Sequence, residues 1–152
     1  MMKVIIDYPT IDEEKKIMRA HINDSFSHVS PVIDTDRILK ARQLVKQVYI
    51  DERIEQYIAD IVFATRYPEQ YKLKDFKNYI SFGGSPRASI NLALAARACA
   101  FIKRRGYVVP EDVREVAADV LRHRIGLSYE AEASDIKADD IVKEILNKVE
   151  VP

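Results

Sequence analysis

Apolar residues recur at helical spacing along most of this chain, and the polar breaks between them carry start and stop signals. Thr10 and Glu13 have the spacing of a capping box, which predicts a helix to about Ile22 with Ile17, Met18 and Ile22 on its apolar side. Ile38, Ala41, Leu44, Val45 and Val48 predict a second helix from Asp36 to Gln47. After the β-branched break Val48-Tyr49-Ile50, Asp51 can cap a third helix to about Arg66, carrying Ile54, Tyr57, Ile58, Ile61, Val62 and Thr65 inward. Tyr67-Pro68 ends it.

Residues 69–77 are polar and read as a loop, and Tyr79 to Phe82 reads as extended before Gly83-Gly84. An Ala-rich helix then follows Ser85, with Ser85 as N-cap and Pro86 at the first helical position, where a missing N–H costs nothing. Gly106 suits the end of that helix, where Lys103, Arg104 and Arg105 complement its dipole. Pro110 opens another helix with Val113, Val116, Val120 and Leu121 inward. A last helix from about Ala138 to Lys148 buries Ile141, Val142, Ile145, Leu146 and Val149. Lys3 to Asp7 is a β-branched run stopped by Tyr8-Pro9, which predicts a strand-like arm that pairs with a second copy or lies on the bundle. The expected class is mainly α, a small helical bundle with one or two short extended segments.

Composition narrows the function classes. At 152 residues, nearly half apolar, the chain can bury one real core. Its 24 basic and 24 acidic residues balance, so no global field argues for nucleic acid. Cys99 is the single cysteine and sits among Ala98, Ala100 and Phe101, which fits a small buried thiol and rules out a disulfide within the chain. His21 and His28 have no second ligand at metal spacing, so no metal site is expected. Glu130, Glu132 and Asp135 fall in an expected loop with nothing to hold a hydrolytic pair. No run of about 20 apolar residues and no signal-peptide pattern occurs, and the chain reads as cytoplasmic without membrane insertion.

The passage Ser81-Phe82-Gly83-Gly84-Ser85-Pro86-Arg87-Ala88 carries the chemistry. It places Arg87 in the first turn of a helix, where a cation faces the positive end of the dipole at a cost of a few tenths to about 1 kcal/mol. An anion would offset that. Close-approach glycines, free helix N–H groups and a forked guanidinium suit a phosphate, and a nearby carboxylate partner would serve the same electrostatics. Arg122-His123-Arg124 is a compact basic cluster at a helix end. Its cations can serve the helix dipole or contact a neighbouring subunit or partner.

Gly83-Gly84-Ser85-Pro86-Arg87-Ala88, the Ala-rich helix, Arg105-Gly106-Tyr107-Val108-Val109-Pro110-Glu111-Asp112-Val113 and Val120-Leu121-Arg122-His123-Arg124-Ile125 stand in one order. That order resembles the C-terminal helical lid of MoxR-type AAA+ ATPases. Tyr129-Glu130-Ala131-Glu132, Val149-Glu150-Val151-Pro152, Asp7-Tyr8-Pro9 with Glu13 and Glu14, and Tyr57-Ile58 followed by Ala64-Thr65-Arg66 extend the resemblance over nearly the whole chain. One departure stands out. The family pattern has Thr before the proline where this chain has Val109, so the helix start there is frayed or capped by another group.

The resemblance implies a AAA+ lid fold, with residues 1–9 as an arm from an ATPase core, 10–33 as a connecting helix and loop, and 34–152 as the lid. It implies that Arg87, with Pro86 fixing its turn, is a sensor reaching the γ-phosphate of ATP. It also implies that Tyr57, Ile58 and Ile61 line the side of the pocket nearest the nucleoside, although a stripe at helical spacing equally needs only core packing. ATP and Mg belong to the full-length protein only, because no Gly-Lys-Ser or Gly-Lys-Thr phosphate loop occurs here. The chain alone is expected to lie after the catalytic core and to be inactive. Implied partners are the ATPase core of the same chain, neighbouring subunits of a ring, and proteins with von Willebrand factor A-like domains. The parent's work would be chaperone-like remodelling. A helical protein-interaction adaptor without nucleotide chemistry, docking through Arg122 to Arg124 and the last helix, is the alternative.

Overall fold

The computed structural model describes residues 1–25 and 29–152, so His28 lies outside the described residues. The chain runs α1 (Ile11–Ile22), α2 (Thr35–Val45), α3 (Glu52–Ala64), two 3-10 turns (Pro68–Tyr71 and Lys74–Tyr79), β1 (Ile80–Phe82), α4 (Pro86–Ile102), α5 (Pro110–Leu121), β2 (Gly126–Leu127), α6 (Tyr129–Ala133) and α7 (Ala138–Lys148). Helices α3, α4, α5 and α7 enclose one core, with α4 against both α3 and α5 and with α7 against α5 and α3. Small side chains on α4 permit this. Ala88, Ala95, Ala96 and Ala100 are all buried, which lets neighbouring helices approach its backbone closely. Ile141, Val142 and Ile145 bury one face of α7, each contributing about 1.5–3 kcal/mol.

The helix starts follow from local polar chemistry. Thr10 and Glu13 form the expected capping box: the Thr10 N–H donates to the Glu13 carboxylate at 2.8 Å and the Glu13 N–H donates back to Thr10 Oγ1 at 3.4 Å. Asp51 caps α3 by accepting the Arg53 N–H at 3.0 Å. At α5, where Val109 offers no side-chain acceptor, Asp112 reaches back and accepts the Val109 N–H at 3.0 Å. Asp140 does the same for the Lys137 N–H of α7 at 3.0 Å. An Asp at the third helical position thus replaces the missing cap in both helices.

Several elements depart from the sequence reading. Residues 69–77 hold parts of two 3-10 turns, and the first is tied to α3 by the Tyr71 hydroxyl donating to Asp60 at 2.8 Å. Glu130 and Glu132 sit on α6, capped by Ser128, whose hydroxyl accepts the Ala131 N–H at 3.2 Å. β1 and β2 pair antiparallel, with Ile80 opposite Leu127 and Phe82 opposite Gly126. Helices α1 and α2 form where expected, but neither holds a fully buried residue: Ile17, Met18, Ile22, Ile38 and Leu44 are exposed, while Ala41 and Val45 of α2 are half-buried where that helix meets α4.

Of the two expected placements of the N-terminal arm, the structure shows the second: residues 1–10 form no ladder, and the arm lies on the bundle. The Lys3 N–H donates to the Asp119 carbonyl at 2.8 Å, while Arg122 Nη1 donates to the Lys3 carbonyl at 2.8 Å.

Gly106 is not the cap of α4. Arg104 takes the left-handed position with φ 59°, and the Arg105 N–H closes onto the Ala100 carbonyl at 2.9 Å in a Schellman arrangement. A side chain in that region costs about 1–2 kcal/mol. Arg104→Gly is therefore expected to stabilise the bundle by about 1 kcal/mol in urea unfolding. A loss of stability would mean that Arg104 makes a compensating contact.

Candidate functional site

The start of α4 is fixed by the end of α3, eighteen residues earlier in the chain. Thr65, fully buried, donates its hydroxyl to the Val62 carbonyl at 2.6 Å and accepts the Gly84 N–H at 2.8 Å. Arg66 Nε donates to the Gly84 carbonyl at 2.6 Å, and its guanidinium lies 4.9 Å from the centre of the Phe63 ring. Both polar groups of Gly84 are therefore held by consecutive residues of α3's C-terminal end. A Cβ on Gly83 would stand 2.5 Å from the Thr65 carbonyl oxygen. The close approach that Gly83 permits is therefore to protein backbone, and a Cβ on Gly84 would meet the side chains of Ala88, Val62 and Thr65.

From that anchored turn Pro86 occupies the first position of α4, as expected, and Arg87 the second. Ser85 is the N-cap residue, but its hydroxyl makes no capping bond, against expectation; the Ala88 N–H turns to the Ser85 carbonyl at 2.7 Å. Arg87 is exposed, and among the described residues no carboxylate pairs with it. Of the two partners the local electrostatics allowed, the internal carboxylate is not the one present. The guanidinium stands in the first turn of a long helix on a turn locked at both ends, a geometry suited to an external anion. Ahead of that turn, Arg66, Tyr67, Lys77, Phe82 and Gly83 line part of an open depression of about 360 Å³, of which Arg87 is not a lining residue.

Tyr57, Ile58 and Ile61 are core residues. Their exposures are 2%, 3% and 0%, so core packing, the alternative the helical spacing allowed, accounts for them. The Tyr57 hydroxyl is engaged inside, accepting from Arg114 at 3.3 Å. Arg122 and Arg124 are also engaged within the chain. Arg122 pairs with Asp119 at 2.7 Å and Asp139 at 2.9 Å besides holding Lys3, and Arg124 donates to the Met1 carbonyl at 3.3 Å. His123 is exposed between them, its pKa lowered by partial burial and by Arg124. The guanidinium groups of this cluster anchor the N-terminal arm, which accounts for them without a partner. Arg122→Ala should speed hydrogen exchange at the Lys3 amide about tenfold or more while far-UV helicity stays constant, and unchanged exchange would show that the arm is held otherwise.

No group of three or more metal-ligating side chains occurs among the described residues. Cys99 is buried and its thiol pKa is raised by that burial, in keeping with a packed, unreactive role. No helix among the described residues is long and apolar enough to cross a membrane.

One cluster escaped the sequence reading. Asp112 is fully buried and gripped by the Arg105 fork at 2.6 and 2.5 Å, with Lys103 at 3.2 Å from the same carboxylate. Burial alone would raise its pKa, but Arg105, the Val109 N–H and Lys103 outweigh that and hold it at about 2. The basic residues read as dipole partners of α4 thus clamp α4's end onto the first turn of α5. An acid at the third position of a helix lacking an N-cap side chain was the available signal.

Comparison with known proteins places this architecture. Residues 74–145 match the AAA lid domain family. The chain is 34% identical over 152 residues to the chaperone MoxR1 of Mycobacterium tuberculosis, covering all of this chain and 40% of that protein. It is 42% identical over 79 residues to the protein MoxR of Paracoccus denitrificans, covering 49% of this chain and 23% of that one. A solved Cytophaga hutchinsonii structure assigned as an ATPase superposes with a TM-score of 0.91 at 42% identity, over all of this chain and 46% of that one. The chain spans less than half the length of these relatives. Matched along its whole length to MoxR1 and to that ATPase structure, and over residues 74–145 to the lid family, the chain belongs to the helical lid region of the MoxR-type AAA+ ATPases.

Proposed function

We propose that this chain works as the lid of an ATP-hydrolysing AAA+ assembly, in which Arg87 contacts the γ-phosphate and converts its presence into a lid position. The observation that carries this reading is Arg87 itself, exposed in the first turn of α4, without a carboxylate partner, on a turn fixed to α3 through Thr65 and Arg66. The guanidinium is always charged and spans two phosphate oxygens, and rigid support means that little ordering is needed when the nucleotide arrives. Hydrolysis removes the group that Arg87 contacts, so the lid is released.

The phosphate loop and the magnesium ligands lie outside this sequence, in an ATPase core that the lid completes. Neighbouring subunits of a ring and proteins with von Willebrand factor A-like domains are the further partners this reading carries, and remodelling of client proteins is its output. The adaptor alternative loses its main support, since Arg122 and Arg124 are occupied by the arm. Turnover by the assembled ATPase carrying Arg87→Ala tests the reading. A steep fall with a normally folded lid is expected, and an undiminished rate would contradict it.

A further inference from the structure

Gly83-Gly84 stands just ahead of Ser85, Pro86 and Arg87, and glycine has more backbone freedom than any other residue, so this turn is where α4 and its arginine would swing. The first residues of α4 supply no side-chain lock. The Ser85 hydroxyl makes no capping bond, and Pro86 has no N–H to give. The lock comes from the end of α3. The Thr65 hydroxyl has one proton, which it donates to the Val62 carbonyl at 2.6 Å, and its oxygen is thereby turned to accept the Gly84 N–H at 2.8 Å. Arg66 Nε donates to the Gly84 carbonyl at 2.6 Å. The N–H and the C=O of one residue belong to the two peptide planes that meet at its Cα, and each plane is rigid. Holding both therefore fixes φ and ψ of Gly84, three residues before Arg87.

We infer that Thr65 and Arg66 are positioning residues for nucleotide reading: by locking Gly84 from α3, they hold the Arg87 guanidinium where it meets a γ-phosphate. The inference rests on the reading of Arg87 given above and adds the residues on which its aim depends. Packing alone does not explain the pair. Thr65 is fully buried, where a valine of similar shape would fill the space with no polar group to satisfy, so its hydroxyl is accounted for by the two bonds it makes. Arg66 is half-buried and pairs with no carboxylate among the described residues. Its guanidinium lies over the Phe63 ring, which steadies the side chain while Nε holds the turn.

The test measures ATP and ADP binding by calorimetry on the assembled ATPase in a hydrolysis-blocked form, with Thr65→Val, Thr65→Ser, Arg66→Met and Tyr71→Phe beside Arg87→Ala. Thr65→Val and Arg66→Met are each expected to lower the preference for ATP over ADP about threefold or more with ADP affinity unchanged, because a small misplacement of a charged group weakens what it does. Thr65→Ser keeps the hydroxyl and should keep the preference. Tyr71→Phe removes another hydroxyl tied to α3, the one bonded to Asp60, and should also leave the preference intact. In Thr65→Val, hydrogen exchange in the peptide spanning residues 83–88 should quicken about tenfold or more. An unchanged preference in both Thr65→Val and Arg66→Met, unchanged exchange at the turn, or an equal loss in Tyr71→Phe would overturn the inference. Weakening of both nucleotides by Arg66→Met would overturn it too, by making Arg66 a direct contact. Arg66→Met supplies the reading should Thr65→Val assemble poorly. The two failures are distinguishable: a lost preference in Arg87→Ala alone removes the locking pair and keeps the sensor, whereas an unchanged preference in Arg87→Ala removes the sensor and the inference with it.

Discussion

Asp112→Ala is expected to destabilise the bundle by about 3 kcal/mol, near the lower end of the range for breaking a buried ion pair. The substitution removes the carboxylate that both Lys103 and Arg105 grip and leaves the Val109 N–H without its acceptor. Side-chain exposures of 38% for Lys103 and 25% for Arg105 keep the loss from being larger, because water can reach both cations and Lys103 keeps its pairing with Glu115. For a chain of this size the melting temperature should fall by about 6–12 °C. Asp112→Asn should cost less, since an amide oxygen still accepts from Val109. The pH dependence has a definite sign. The folded pKa is depressed from 3.8 to about 2, so the stabilisation is complete above about pH 4 and is lost as pH falls toward 2. Its size is about 2 kcal/mol, and Asp112→Asn should flatten the acid limb of the stability curve by that amount. A melting temperature within about 2 °C of the parent for Asp112→Ala would show that the clamp is not needed.

Arg87→Ala should act in the opposite way, sparing the fold and removing function. An exposed first-turn Arg opposed by the helix dipole adds little, and its loss should change stability by no more than about 0.5 kcal/mol. Groups aimed at a transferring phosphoryl supply a factor of about a hundred or more, so turnover in the assembled ATPase should fall by at least that factor. Arg87→Lys keeps the charge but loses the fork, and should recover only part of the rate. A destabilisation of more than about 2 kcal/mol with intact turnover would make Arg87 a structural residue.

The parts of this molecule that were legible in its sequence are those governed by near neighbours. Thr10 with Glu13, Asp51, and Pro86 at the head of α4 all act within one helical turn, and each was found where spacing placed it. The inward positions of α3, α5 and α7 also followed from periodicity, because those faces have helices to pack against. Periodicity found α1 and α2 as helices, but their apolar sides stay largely exposed, with only Ala41 and Val45 of α2 half-buried near α4. The two 3-10 turns over residues 68–79 lack a 3.6-residue pattern and so read as loop.

At the site, the position of Arg87 was legible and its support was not. Gly83 and Gly84 carry a local signal for close approach, but Thr65 lies nineteen residues before Gly84 and is revealed as the group approached only by the packed structure. A similar distance hid the Asp112 clamp: Lys103 and Arg105 looked like helix-end cations until α5 folded back beside them. Arg104 stands in the left-handed position at the end of α4 because the chain turns there, two residues before the glycine that composition favoured.

The central claim is that Arg87 reads the γ-phosphate, and the affinity ratio of ATP to ADP tests it most directly. Nucleotide binding is measured by calorimetry on the assembled ATPase in a hydrolysis-blocked form, with and without Arg87→Ala. Weakening of ATP binding by about tenfold or more, with ADP affinity unchanged, is the predicted result, because a charge-assisted bond to phosphate contributes about 1.5–3 kcal/mol and only ATP offers that phosphate. Equal weakening of both nucleotides, or of neither, would contradict the assignment.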